Sequence, residues 1–120
     1  MIKGLRGASI WSEDLTKNLL PFYWDTLGLK VGMDTPGFVI LGEPNGVSLA
    51  LGTHSEVHGK NADSARHMVA FDVDDVGAES ARLKAAGVPF VQEPTDVGNG
   101  LTMATLRDPE GNLVQLMHFA

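Results

Sequence analysis

Residues 67–88, HMVAFDVDDVGAESARLKAAGV, decide how this chain is read. His67–Val73 reads as a strand, after which the spacing of apolar residues changes. Asp75–Ala86 is a helix with Val76 and Leu83 on one face, and Gly87 is its cap. Beyond it, Val88–Gln92, Leu101–Leu106 and Asn112–Phe119 are extended segments. The last two are joined by Asp108-Pro109-Glu110-Gly111, whose Asp, Pro and Gly stand at the first, second and fourth positions that a type I turn favours. The unit is therefore strand, helix, three strands.

The same grammar runs through the first half. Leu5–Trp11 alternates as a strand, and after the polar Ser12-Glu13-Asp14 a helical stripe follows in Leu15, Leu19, Phe22, Tyr23 and Leu27. Asp14 or Ser12 can accept hydrogen bonds from the first free amides, and Gly28 can end the helix in the left-handed conformation. Pro21 removes one backbone donor, so a kink or a late first turn is expected there. Leu29–Met33, Phe38–Gly42 and Val47–Gly52 are three short strands, separated by Thr35-Pro36-Gly37 and Pro44-Asn45-Gly46. Residues 53–66 are polar and aperiodic, which places the joint between the halves there. The expected organisation is one α+β domain of two βαβββ modules, 1–53 and 65–120, with a linker at 54–64. The pattern repeats after roughly 60 residues. Each half would cover one sheet face with its helix and leave the other bare, and two bare faces meeting would make a ligand cleft.

Composition narrows the function. The chain has 120 residues, enough for one ordinary core, and 14 glycines, which imply many tight turns. Nine Lys and Arg against fifteen Asp and Glu give 9 − 15 = −6 at pH 7, a charge that repels phosphate backbones and anionic lipid. Nucleic acid and membrane are thus poor partners, and neutral or cationic small molecules better ones. The absence of Cys removes disulfides, thiolate metal sites and a thiol nucleophile. No continuous apolar leader or spanning run occurs, so a cytoplasmic protein is expected. No Gly-rich phosphate loop with Lys and no nucleophile elbow is present.

The strings SEDL, PFYWDTLGL, HMVAFDVDDV, LKAAGV and DPEGNLVQL, in this order, resemble the vicinal oxygen chelate superfamily of glyoxalases, bleomycin-resistance proteins, fosfomycin-resistance enzymes and extradiol dioxygenases. The resemblance implies paired βαβββ modules forming a cupped mixed sheet, commonly in a homodimer. In metal-dependent members, inward side chains on the first, fourth, fifth and eighth strands hold a divalent ion with His and Glu. Carried onto this chain, those positions fall on Gly7 (or Ala8), Ala50, Met68 and Gln115. None supplies imidazole, thiolate or carboxylate, so no metal and no cofactor is expected. His67 stands one residue early, which in a strand turns it to the opposite face.

On the same footing, Ser9, Trp11, Ala50, Met68, Asp72, Gln115 and Met117 would face the cup, with Ala70. The lining is aromatic and sulfur-rich, suits a flat ligand and has Gln115 as its polar handle. The competing reading is that Trp11 and the methionines fill the cup as core. Asp72 is the lone acid expected inside, so paired carboxylate catalysis lacks a second member. His54 and His58 are expected in an exposed loop, His67 under the helix at the strand edge, and His118 outside the cup. Trp24 is read either as a subunit contact or as partly buried, and Thr95–Gly100 as a mobile lip. The favoured function is a metal-free, homodimeric small-molecule-binding protein, glyoxalase/bleomycin-resistance-like, that sequesters an aromatic or cationic compound. The alternative is a glyoxalase-, lyase- or dioxygenase-like enzyme using a metal or base at other positions, with no catalytic residue identified.

Overall fold

Each half of the chain builds its own four-stranded mixed sheet. The computed structural model describes residues 1, 3–43 and 46–120, and forms two compact units, Met1–Gly59 and Lys60–Ala120. Of the separator Pro44-Asn45-Gly46, Pro44 and Asn45 lie outside the described residues.

In the first unit β1 (Gly7–Ser12) leads into α1 (Leu15–Asn18), a π-helical stretch (Pro21–Thr26), β2 (Val31–Thr35), β3 (Phe38–Leu41) and β4 (Ser48–Thr53). The sheet order is β1-β4-β3-β2, with β1 parallel to β4 and the other pairs antiparallel. Asp14 caps α1 by accepting from the Lys17 amide at 3.1 Å. Two contacts fasten α1 to the sheet: the Leu15 amide donates to Thr53 Oγ1 at 3.0 Å and Asn18 Nδ2 donates to Ser12 Oγ at 3.3 Å. Strand β1 starts two residues later than expected, leaving Leu5 exposed. The expected kink at Pro21 takes a definite form. With no proline N–H to continue the ladder, the helix widens, and Leu27 N–H bonds Phe22 O at 2.8 Å, an i to i−5 step. The wide turn still buries Phe22 and Tyr23, and Gly28 closes it at φ +76°. Ile10, Val39, Leu41, Leu49 and Leu51 form the covered face.

The second unit repeats the order: β5 (Val69–Asp72), α2 (Val76–Ala85), β6 (Phe90–Gly98), β7 (Leu101–Arg107) and β8 (Leu113–Phe119), in a sheet β5-β8-β7-β6. Helix α2 is capped by Asp75, whose carboxylate accepts from the Ala78 amide at 3.0 Å, and Val76 and Leu83 are its buried anchors. Ala104, Leu106, Val114 and Leu116 complete the covered face. The turn at Asp108–Gly111 forms, with Gly111 N–H bonding Asp108 O at 3.0 Å and the Asp108 carboxylate accepting from Glu110 and Asn112 amides at 2.9 and 2.8 Å.

One expectation is corrected here. Thr95–Gly98 is not a free lip but the end of β6, pairing with Leu101–Met103, and Asn99 (φ +55°) and Gly100 (φ +78°) form the two-residue hairpin turn. Positive φ at both central residues is what a type I′ turn demands, and Asn-Gly meets it. Within the polar joint, Gly59 N–H donates to Glu13 in the first unit, and Asn61 N–H to Glu110 O at 2.8 Å in the second.

Candidate functional site

The face of the first sheet turned away from α1 carries Ser9 and Trp11 from β1, Ala50 and Gly52 from β4, and Phe38 and Ile40 from β3, because these residues alternate with the covered set. Ser9 is in register with Ala50, and Trp11 with Gly52, which is in turn opposite Phe38. The indole of Trp11 lies across the backbone of β4. A Cβ built on Gly52 would stand 2.2 Å from Trp11 Cζ3, so the indole keeps its place only because residue 52 has no side chain. Phe38 flanks the indole at 6.1 Å between centroids and 30° between planes. The His54 ring meets it edge-on at 5.6 Å and 78°. Trp11 nevertheless remains 40% exposed.

His54 is therefore not a free loop residue. It is half-buried, and its Nδ1 accepts from the Glu56 amide at 3.0 Å, which fixes the proton of the neutral ring on Nε2. His58 is exposed. His67 is exposed as well and precedes β5, contrary to a place under the helix: the strand starts at Val69, so no ladder holds His67 against a neighbour. His118 is half-buried, with Nδ1 3.0 Å from Val73 O. Trp24 stands 42% exposed on the π-helical stretch.

In the second sheet, the corresponding face carries Ala70 and Asp72 from β5, Gln115 and Met117 from β8, Met103 and Thr105 from β7, and Gln92 from β6. Asp72 pairs with Met117, and Ala70 with Gln115. Met68 lies one residue ahead of the strand and is exposed. Gln92, Thr105 and Phe38 escaped the sequence reading, as did the part played by Gly52. All four are placed by cross-strand register, which a linear pattern does not carry. A hint existed in Gly52, an interior strand glycine, since such residues mark a close approach.

The inherited metal positions do not fit a metal. Ala50 and Gln115 stand on these faces, yet neither offers a charged ligand, and a side chain on Gly7 would put its Cβ 2.0 Å from Ser48 O. Among the described residues no three His, Asp or Glu side chains gather in a metal-holding group. No helix among the described residues is long and apolar enough to cross a membrane.

Comparisons with known proteins agree with this architecture. Uncharacterized protein YurT of Bacillus subtilis (strain 168) is 33% identical over 96 residues, 80% of this chain and 70% of that protein. A glyoxalase/bleomycin resistance protein/dioxygenase family enzyme from Burkholderia phytofirmans PsJN has the same fold, with a TM-score of 0.74 at 21% identity over 98% of this chain and 100% of that one. TnmS3, an antibiotic binding protein from Streptomyces sp. CB03234, matches with a TM-score of 0.74 at 23% identity, over 99% of this chain and 98% of its own. The family model described as Glyoxalase/Bleomycin resistance protein/Dioxygenase superfamily matches residues 8–116, which takes in β1 through most of β8. With the strand, helix and three strands present twice and the family's sequence pattern spanning both halves, the chain belongs to the glyoxalase/bleomycin resistance protein/dioxygenase superfamily.

Proposed function

We propose that this protein is a metal-free binder that sequesters a flat aromatic or cationic small molecule on the face of the first sheet that carries Trp11. The observation that carries the reading is the indole held over Gly52 and still 40% exposed. A glycine inside a strand weakens it, and an exposed indole gives up burial, so the pair costs stability on both counts. A ligand stacked on the indole recovers that cost, contributing about 0.5–2 kcal/mol from the aromatic or cation–π contact alone. A net charge of −6 favours cations in the same direction. The likeness to an antibiotic binding protein supports a binding role. The lack of imidazole, thiolate or carboxylate at Gly7, Ala50, Met68 and Gln115 supports a chemistry without metal.

Calorimetry with a flat aromatic cation such as 9-aminoacridine tests the reading. Trp11→Ala is expected to lose about tenfold in affinity, about 1.4 kcal/mol, and Trp24→Phe little. Unchanged affinity in a folded Trp11→Ala protein would overturn it. Elemental analysis near one Zn, Ni, Fe or Mn per chain would overturn the metal-free part. We further infer a homodimer, supported by Trp24 lying exposed on the outer helical stretch. Light scattering that gives a monomer at micromolar concentration would remove that claim.

A further inference from the structure

The second sheet carries a row that the stacking reading does not use. Gln92, Thr105 and Gln115 stand side by side on β6, β7 and β8, on the face away from α2. Thr105 is only 5% exposed, and its hydroxyl donates to Gln92 Oε1 at 3.3 Å. That bond uses the Gln92 carbonyl and leaves both its amide hydrogens to donate. Gln115 is half-buried, and its carboxamide has no hydrogen-bond partner among the described residues. In the next row on the same face, Met103 pairs with Met117, both half-buried.

We infer that this row is a subsite for a neutral, planar molecule with a cis-amide edge, a lactam or an imide. Gln115 offers a donor and an acceptor side by side. A lactam matches both, its N–H donating to Gln115 Oε1 while its carbonyl accepts from Gln115 Nε2, and a simple ketone or ether would leave one of the two unmet. The ring system then rests on the thioethers of Met103 and Met117, which adapt to flat aromatic surfaces. No charged side chain stands in the polar row, and the Asp72 carboxylate beside Met117 disfavours anions. Thr105 is a positioning residue: it holds Gln92 so that the amide hydrogens of Gln92 reach the same ligand edge. The subsite lies wholly within the second unit and stands independently of the Trp11 reading.

Phenanthridinone and its N-methyl derivative share a ring frame and a carbonyl but differ in the lactam N–H, so the ratio of their affinities reads the amide edge. The wild-type protein is expected to prefer phenanthridinone by at least about tenfold, since a site built to pair a donor rejects the analogue lacking it. Gln115→Leu should bring the two within about twofold, whereas the near-isosteric Gln115→Glu, whose carboxylate still accepts the lactam N–H but no longer donates to the carbonyl, should weaken both probes and keep the preference. Thr105→Val should weaken both probes by about threefold while Thr105→Ser keeps the wild-type affinities, a rescue by the hydroxyl that a merely structural role would not produce. The preference should persist in Trp11→Ala, where its loss would place the amide edge elsewhere. Equal affinities in the wild type, no binding of either probe, or a preference kept in Gln115→Leu would each overturn the inference and leave the stacking reading standing.

Discussion

At matching rungs of the two parallel strand pairs, the first sheet sets Ser9 beside Ala50 and Trp11 beside Gly52, whereas the second sets Ala70 beside Gln115 and Asp72 beside Met117. The third strand continues the contrast, with Ile40 and Phe38 in one sheet against Thr105 and Met103 in the other. On the opposite faces the halves agree: Leu49, Leu51, Val39 and Leu41 answer Val114, Leu116, Ala104 and Leu106, all buried. One topology thus draws its stability from one face of each sheet. The other face is free to become an aromatic shelf in one half and a polar and sulfur-bearing shelf in the other.

Truncating the shared faces should have the largest effects. Leu51→Ala and Leu106→Ala, both at residues with 0% exposure, should each cost about 2–5 kcal/mol in urea unfolding. A tenfold smaller loss in either half would break the equivalence of the covered faces. Next comes the contrast on the other faces. Gly52→Ala should cost about 1–3 kcal/mol by overpacking against the indole. In a Trp24→Phe background, which leaves Trp11 as the single indole, it should also shift the emission, because the ring must leave β4. Met117→Ala, at the matching rung, should cost about 1 kcal/mol or less, because that side chain is half-exposed and no neighbour needs it absent. The reverse order would show that the two rungs are not counterparts. The smallest effect concerns Ser80 on α2, whose hydroxyl is buried with no hydrogen-bond partner among the described residues. Ser80→Ala should raise stability by about 0.5–1 kcal/mol, and a lowered midpoint would mean that the hydroxyl is satisfied.

Much of this architecture could be read from local chemistry. Gly28 and Gly87, the Asp14 cap and the Asp108–Gly111 turn depend on neighbours close in sequence, and the order of elements follows from them. The hairpin at Asn99-Gly100 was legible too, but its glycines drew a reading of mobility when the Asn-Gly pair called for a type I′ turn. What remained hidden is non-local. The irregular pairing of β6 with β7 brings Gln92 opposite Thr105, and the parallel pairing of β1 with β4 brings Trp11 over Gly52. The His54 contact depends on where the chain goes after β4, which no periodicity records. Candidate residues on the strands could be grouped by face, but the partners that make a shelf could not.

The indole lying on a bare backbone also sets an order of events for the lineage of this chain. While Trp11 is present, any side chain at position 52 collides with it, since even a methyl would approach to 2.2 Å. Once position 11 holds a small residue, position 52 is released and can drift to alanine, serine or valine at little cost. After that drift tryptophan returns only with its ring displaced from β4, at about 1–3 kcal/mol, so the two positions act as a ratchet. Descendants that lost the aromatic shelf would carry the loss as an inherited barrier, visible as relatives in which tryptophan at 11 occurs together with glycine at 52 and not with bulkier residues there.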